Sequence, residues 1–157
     1  MSVIKAYSDF SIEILTTAIT TEFIDLFLFI TGGNEMKLTC EKYLLQSAVA
    51  VSTRAAASKS PIPTLEGILL EAGEDLRVTG YDLKKGIYTN IEAEVSEPGS
   101  VVLDAKLFGE MVRKMPDGIV SIVTDSQNMT TVKCGKSEFS FMGMDSGEYP
   151  ELPSVDG

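Results

Sequence analysis

Residues Pro61 to Leu83 read PIPTLEGILLEAGEDLRVTGYDL, and within them two apolar runs with strand character meet at the acidic turn Gly73-Glu74-Asp75. The first arm, Thr64 to Ala72, carries Leu65, Ile68, Leu69 and Leu70. The second, Leu76 to Thr79, alternates Leu76 and Val78 with Arg77 and Thr79. Successive side chains of a strand point to opposite faces, so the pattern predicts a β-hairpin that covers a core on one side. Ahead of it lies Ser58-Lys59-Ser60-Pro61-Ile62-Pro63. Its prolines lack a backbone donor and bias the residue before each toward extended geometry, so an upstream helix should stop there.

Upstream, a short strand Lys37 to Cys40 precedes Leu44, Leu45, Ala48, Val49, Val51, Ala55 and Ala56, whose helical spacing predicts a first helix over about Glu41 to Ala57. Downstream, Gly86 to Val95 alternates Ile87, Thr89, Ile91, Ala93 and Val95 with Tyr88, Asn90, Glu92 and Glu94, the pattern of one half-exposed strand with an acidic outer face. Glu97-Pro98-Gly99 turns the chain into a strand Ser100 to Leu103. Asp104 is a candidate N-cap for a second helix, with Leu107, Phe108, Met111, Val112 and Met115 as its apolar stripe and Pro116-Asp117-Gly118 as its end. Three strand candidates follow, Ile119 to Thr124, Met129 to Cys134 and Glu138 to Met144. The tail Glu148 to Gly157, with Pro150 and Pro153, reads as a linker.

The order strand, helix, three strands therefore occurs twice, which predicts an α+β domain built by internal duplication. Cys40-Glu41-Lys42-Tyr43-Leu44 superposes on Asp104-Ala105-Lys106-Leu107-Phe108, so both helices open with a lysine followed by two core residues. Two such units would set two helices on one face and two antiparallel sheets on the other.

At 157 residues the chain can bury the core of one domain without disulfide staples. Cys40 and Cys134 stand apart, with no second thiol at ligand spacing, and read as buried, inert thiols. The chain has no histidine, which removes the commonest general base and the commonest zinc ligand.

A net charge of -10 by itself argues against polyanion binding, but the distribution is uneven. From Lys42 through Leu65 the charged residues are Lys42, Arg54 and Lys59, with no carboxylate, although acids outnumber bases 23 to 13 overall. The second helix adds Lys106, Arg113 and Lys114 against Glu110, while Glu66, Glu71, Glu74, Asp75, Glu92 and Glu94 fall on strands and turns. A basic helical face can hold a duplex by its phosphates with little sequence preference. The same cations also suit plain solvated helix faces.

Residues 1–35 differ from the rest. Ile12 to Ile30 is apolar but interrupted by Glu13, Glu22 and Asp25, which suits neither a bilayer span nor a signal peptide. Thr31-Gly32-Gly33-Asn34-Glu35-Met36 can be encoded as ACA GGA GGA AAT GAA ATG, which places AGGAGG just upstream of an ATG. This looks like a bacterial ribosome-binding site read as protein, with a genuine poorly ordered leader or helix as the competing reading. The expectation is a start at Met36 and a domain over residues 36–157, with residues 1–35 a non-domain leader whose deletion leaves the fold intact.

Four segments then carry a family resemblance: Met36-Lys37-Leu38-Thr39-Cys40, Pro63 to Glu71 (PTLEGILLE), Leu76 to Leu83 (LRVTGYDL) and Phe139-Ser140-Phe141. Taken in order, with the duplicated unit and the charge split, they resemble the first domain of the bacterial β sliding clamp of DNA polymerase III. The resemblance implies a processivity factor of DNA replication, not an enzyme, with no cofactor, no metal and a cytoplasmic location. That family's chain has three such domains and pairs head to tail into a homodimeric ring around double-stranded DNA, with helices lining the pore. The groove for the replicative polymerase and the clamp loader lies between the second and third domains, which this sequence lacks. By the resemblance, Lys59 sits at the place of a basic pore residue, and Arg54, Lys106 and Arg113 join it as DNA-binding candidates. Leu107, Met111, Lys136, Phe139 and Phe141 become candidates for the subunit interface, with ordinary core packing as the competing role for the apolar ones.

Two rivals from other classes remain. Asp82 in the turn Gly80-Tyr81-Asp82, with Glu66 or Glu71, could serve a carboxylate enzyme using a metal, although acids on a turn are more often caps. An acidic interaction module with no DNA role is the other, and duplex binding measured against salt separates it from the clamp reading.

Overall fold

The computed structural model describes residues 35–154, so the expected leader lies outside the described residues except for Glu35. In chain order the elements are β1 (Met36–Glu41), α1 (Lys42–Thr53), a 3-10 turn (Pro63–Glu66), β2 (Gly67–Ala72), β3 (Leu76–Tyr81), β4 (Gly86–Ile91) and β5 (Glu94–Glu97). They continue as β6 (Gly99–Asp104), α2 (Ala105–Lys114), β7 (Ile119–Thr124), β8 (Met129–Cys134), β9 (Ser137–Met142) and a last 3-10 turn (Ser146–Glu148).

The strands form two antiparallel sheets, a five-stranded one in the order β5-β1-β7-β8-β9 and a four-stranded one in the order β4-β3-β2-β6. Each half of the duplication lends its first strand to the other half. β1 pairs with β7 along its whole length, from Met36 opposite Thr124 to Glu41 opposite Ile119. In return β6 pairs with β2, from Gly67 opposite Asp104 to Ala72 opposite Gly99. The exchange ties the halves into one core, in which Leu38, Leu45, Leu70, Val78, Leu103, Phe108, Ile122 and Val132 are fully buried. Full burial of each such side chain contributes about 1.5–3 kcal/mol.

The hairpin forms as expected, although its first arm starts late: Pro63–Glu66 winds into a 3-10 turn and the strand begins at Gly67. Helix one is shorter than its periodicity suggests. Its ladder tightens as Arg54 N–H donates to Val51 O and Ala55 N–H to Ser52 O, and the Leu65 carbonyl then takes the Ala57 N–H at 2.8 Å. Asp104 caps α2, its side chain accepting from Leu107 N–H at 2.8 Å. Within the predicted stripe of α2, Phe108, Val112 and Met115 are buried, whereas Leu107 is 43% exposed.

Two expectations are corrected. Gly86 to Val95 is two strands, because the chain leaves the four-stranded sheet after Ile91 and joins the five-stranded one at Glu94, opposite Thr39. The second half makes the same move in miniature, where Met144 bridges back to Val102 on β6. The tail is packed rather than a free linker through Leu152. Tyr149 is buried with Leu65, Tyr81 and Val102, Leu152 packs against the same cluster, and Thr64 Oγ1 donates to the Glu148 carbonyl at 3.1 Å. Its apolar side chains find partners that are distant in sequence, which overrides its proline-rich composition.

Candidate nucleic-acid interface

The two helices pack against each other. Between them runs a groove of about 280 Å³ that Val49, Ala50 and Thr53 of α1 share with Lys106, Gly109, Glu110 and Arg113 of α2. A second cleft of about 140 Å³ continues from it, lined by Thr53, Ala56, Ala57, Ser58, Glu66, Asp104, Ala105 and Lys106. Thr53 and Lys106 line both. Lys106 and Arg113 therefore stand in the groove between the helices, while Arg54 and Lys59 are not in its lining and follow Thr53 and Ser58 directly in the chain. Arg54, Lys59, Lys106 and Arg113 are all exposed, and none of the four forms an ion pair among the described residues.

Local chemistry explains how the loop is held. Ala57 N–H is taken by Leu65, Ser60 N–H donates to Glu66 Oε1 at 2.8 Å, and Ile62 N–H donates to Ser60 Oγ at 3.1 Å. Glu66 thus belongs to the helical side and not to the acidic sheet face. Lys42 also departs from expectation, being buried at the start of α1 with its Nζ 3.7 Å from Asp117 Oδ1. Its backbone N–H donates to Gly118 O at 2.9 Å, which joins the start of α1 to the turn after α2. Neither role has a local signature, since both depend on residues brought together only by the fold.

The candidate interface residues divide. Phe139 and Phe141 are half-buried and pack on the main core, with the Phe141 ring 6.1 Å from that of Phe108. Their strand β9 is nevertheless the outermost strand of its sheet. The Phe108–Phe141 contact brings α2 to that edge, and Leu107 and Met111 lie one turn apart on the less buried flank of the helix. Lys136 is exposed in the β8–β9 turn beside Gly135, whose φ is +58°.

The three carboxylates of the enzyme reading are not brought together. Asp82 accepts from the N–H groups of Lys85 and Lys84 at 2.8 and 2.9 Å, and these bonds, the Lys85 one foremost, hold its carboxyl below the usual range. It caps a turn. Glu71 stands opposite Arg77 in the β2–β3 ladder, and Glu66 holds Ser60. Among the described residues no helix is long and apolar enough to cross a membrane.

Residues 36–153 match the family model of the DNA polymerase III beta subunit, N-terminal domain. The beta sliding clamp of Synechocystis sp. is 34% identical over 131 residues, covering 78% of this chain and 34% of that protein. The beta sliding clamp of Bacillus subtilis is 36% identical over 130 residues, covering 77% of this chain and 34% of that protein. The crystal structure of the DNA polymerase sliding clamp from Bacillus subtilis superposes with a TM-score of 0.75 at 34% identity, over 78% of this chain and 34% of that one. The chain thus spans about a third of the length of the relatives it matches. By its fold, its strand exchange and the match over residues 36–153, this chain belongs to the DNA polymerase III beta subunit family, through that family's N-terminal domain.

Proposed function

We propose that the domain acts as one segment of a ring that encircles duplex DNA and tethers a replicative polymerase during DNA replication. The observation that carries this is that Lys106 and Arg113 line the groove between the helices, while Arg54 and Lys59 stand exposed on the residues directly after Thr53 and Ser58 of the adjoining lining, in a chain whose net charge is -10. Phosphate contacts of this kind position a protein on DNA without reading sequence. A tether of this type turns repeated rebinding of the polymerase into an effectively intramolecular event. The role needs no catalytic residue and no cofactor, and it is exercised in the bacterial cytoplasm. Leu107, Met111, Lys136, Phe139 and Phe141 form the side offered to a neighbouring subunit in a head-to-tail ring, with the half-buried phenylalanines setting the shape of the edge. The polymerase and clamp-loader contacts implied by the family resemblance lie outside residues 36–153.

The test is fluorescence anisotropy of the chain with a labelled duplex across a salt series. Neutralising four phosphates gives a log–log slope of about -3.6, and an open surface of this kind should bind in the range of roughly 10⁻⁴–10⁻⁶ M. Lys59→Glu should weaken binding, with the fold intact by circular dichroism, and Lys59→Ala should reduce the slope by about one. Affinity at low salt that is unchanged by Lys59→Glu removes this residue from the DNA face. No salt-dependent binding at all favours an acidic interaction module.

A further inference from the structure

We propose that the groove beneath the β4–β5 crossover docks an extended peptide of a partner protein, rich in lysine or arginine and carrying aliphatic side chains between them. The groove is a product of the sheet switch. Glu92 and Ala93 lie outside both ladders as the chain passes from one sheet to the other, and the space below them, about 500 Å³, reaches the start of α1 and the first residue of β7. None of its lining residues lines the two grooves between the helices.

Three observations specify the occupant. The rim is acidic, formed by Glu41, Asp75, Glu92 and Glu94 with no lining cation, and among the described residues none of these four carboxylates makes an ion pair. Like charges gathered at one cleft raise each other's cost, and a cationic ligand relieves it. The floor is apolar: Ile119 is 55% exposed although the next residue, Val120, is fully buried, and Leu44 lies beside it in the lining. Finally, among the described residues Glu92 and Ala93 pair with no neighbouring strand, so the crossover that borders the groove can take an extended backbone alongside it. Acids select basic residues, the floor selects aliphatic ones, and the unpaired crossover selects an extended backbone. Duplex DNA is repelled by such a rim. A metal ion is not favoured either, since no three of these carboxylates come together as ligands among the described residues.

The experiment titrates the full chain with a fluorescein-labelled hexapeptide of alternating lysine and leucine, alongside lysine–serine and glutamate–leucine versions. Saturable, salt-sensitive binding of the lysine–leucine peptide alone is expected. The pair Glu92→Lys and Glu94→Lys should weaken it about tenfold or more, as loss of close charge pairs does. Ile119→Ser should weaken it as well, while the exposed-site control Glu148→Lys leaves it within a factor of about two, as expected of a screened surface charge. Both glutamates are exposed, so their variants keep the fold even if Ile119→Ser does not. Equal binding of the lysine–serine peptide, or an equal loss with Glu148→Lys, overturns the proposal by reducing the effect to bulk charge. Self-association of the chain that disappears in the Glu92, Glu94 variant overturns it in favour of a second copy. Duplex affinity is read separately, and its failure leaves this result intact.

Discussion

The Glu66 carboxylate accepts the Ser60 backbone N–H at 2.8 Å, so the residue just before β2 holds the loop that presents Lys59. A hydrogen bond to a charged group contributes roughly 1.5–3 kcal/mol, and Glu66 is only half-buried, so the lower end applies. Glu66→Ala is expected to speed amide exchange at Ser60 and Ile62 by about tenfold. Glu66→Gln keeps an acceptor and should retain most of the protection. Identical exchange in wild type and Glu66→Ala would show that the bond does not hold the loop.

At Gly80 the backbone of α1 lies tight against β3. A Cβ at this position would overlap the carbonyl oxygen of Ser52, whose own Oγ donates to Val78 O at 3.1 Å. Gly80→Ala must push the helix off β3, and overpacking of this kind costs about 1–3 kcal/mol. The denaturation midpoint should fall accordingly. Gly73→Ala is the control, since a Cβ there meets nothing within 4 Å, and it should leave the midpoint nearly unchanged.

The edge strand β9 should support concentration-dependent self-association, because an open strand edge offers unpaired backbone groups. Phe141 packs on Phe108, so Phe141→Lys is expected to unfold the domain and not merely to block its edge. Met142, 60% exposed on the opposite face, is the better probe. Sedimentation over a wide concentration range should show association in wild type and its loss in Met142→Lys at unchanged stability. A strictly monomeric wild type removes this prediction.

Both thiols should be silent in the native state. Burial, reinforced by Glu41 and then Cys134, pushes the Cys40 thiol up to about 12, and the Cys134 thiol donates to Pro116 O at 3.2 Å. The thiolate is the reactive species, so an aromatic disulfide reagent at mildly alkaline pH should label neither cysteine until denaturant is added. Fast labelling of the folded chain would contradict the buried placement of both residues.

The sequence alone determined whatever depends on neighbours along the chain. The hairpin around Gly73-Glu74-Asp75, the Asp104 cap and the limits of β7 and β8 all follow from local periodicity and turn chemistry, and the ordered segments sufficed for the family. Tertiary structure decided the rest. Alternation runs unbroken through Ile91, Ala93 and Val95 because it reports which side chains face inward, not which strand lies alongside; the change of sheet at Glu92 becomes visible only once β1 is in place to receive Glu94. The exchange of β1 and β6 between the halves, the burial of Tyr149 and the grip of Glu66 on Ser60 join residues far apart in the chain or outside any repeating pattern. Their partners are selected by the packing of the whole core, for which no short window of sequence carries a signal.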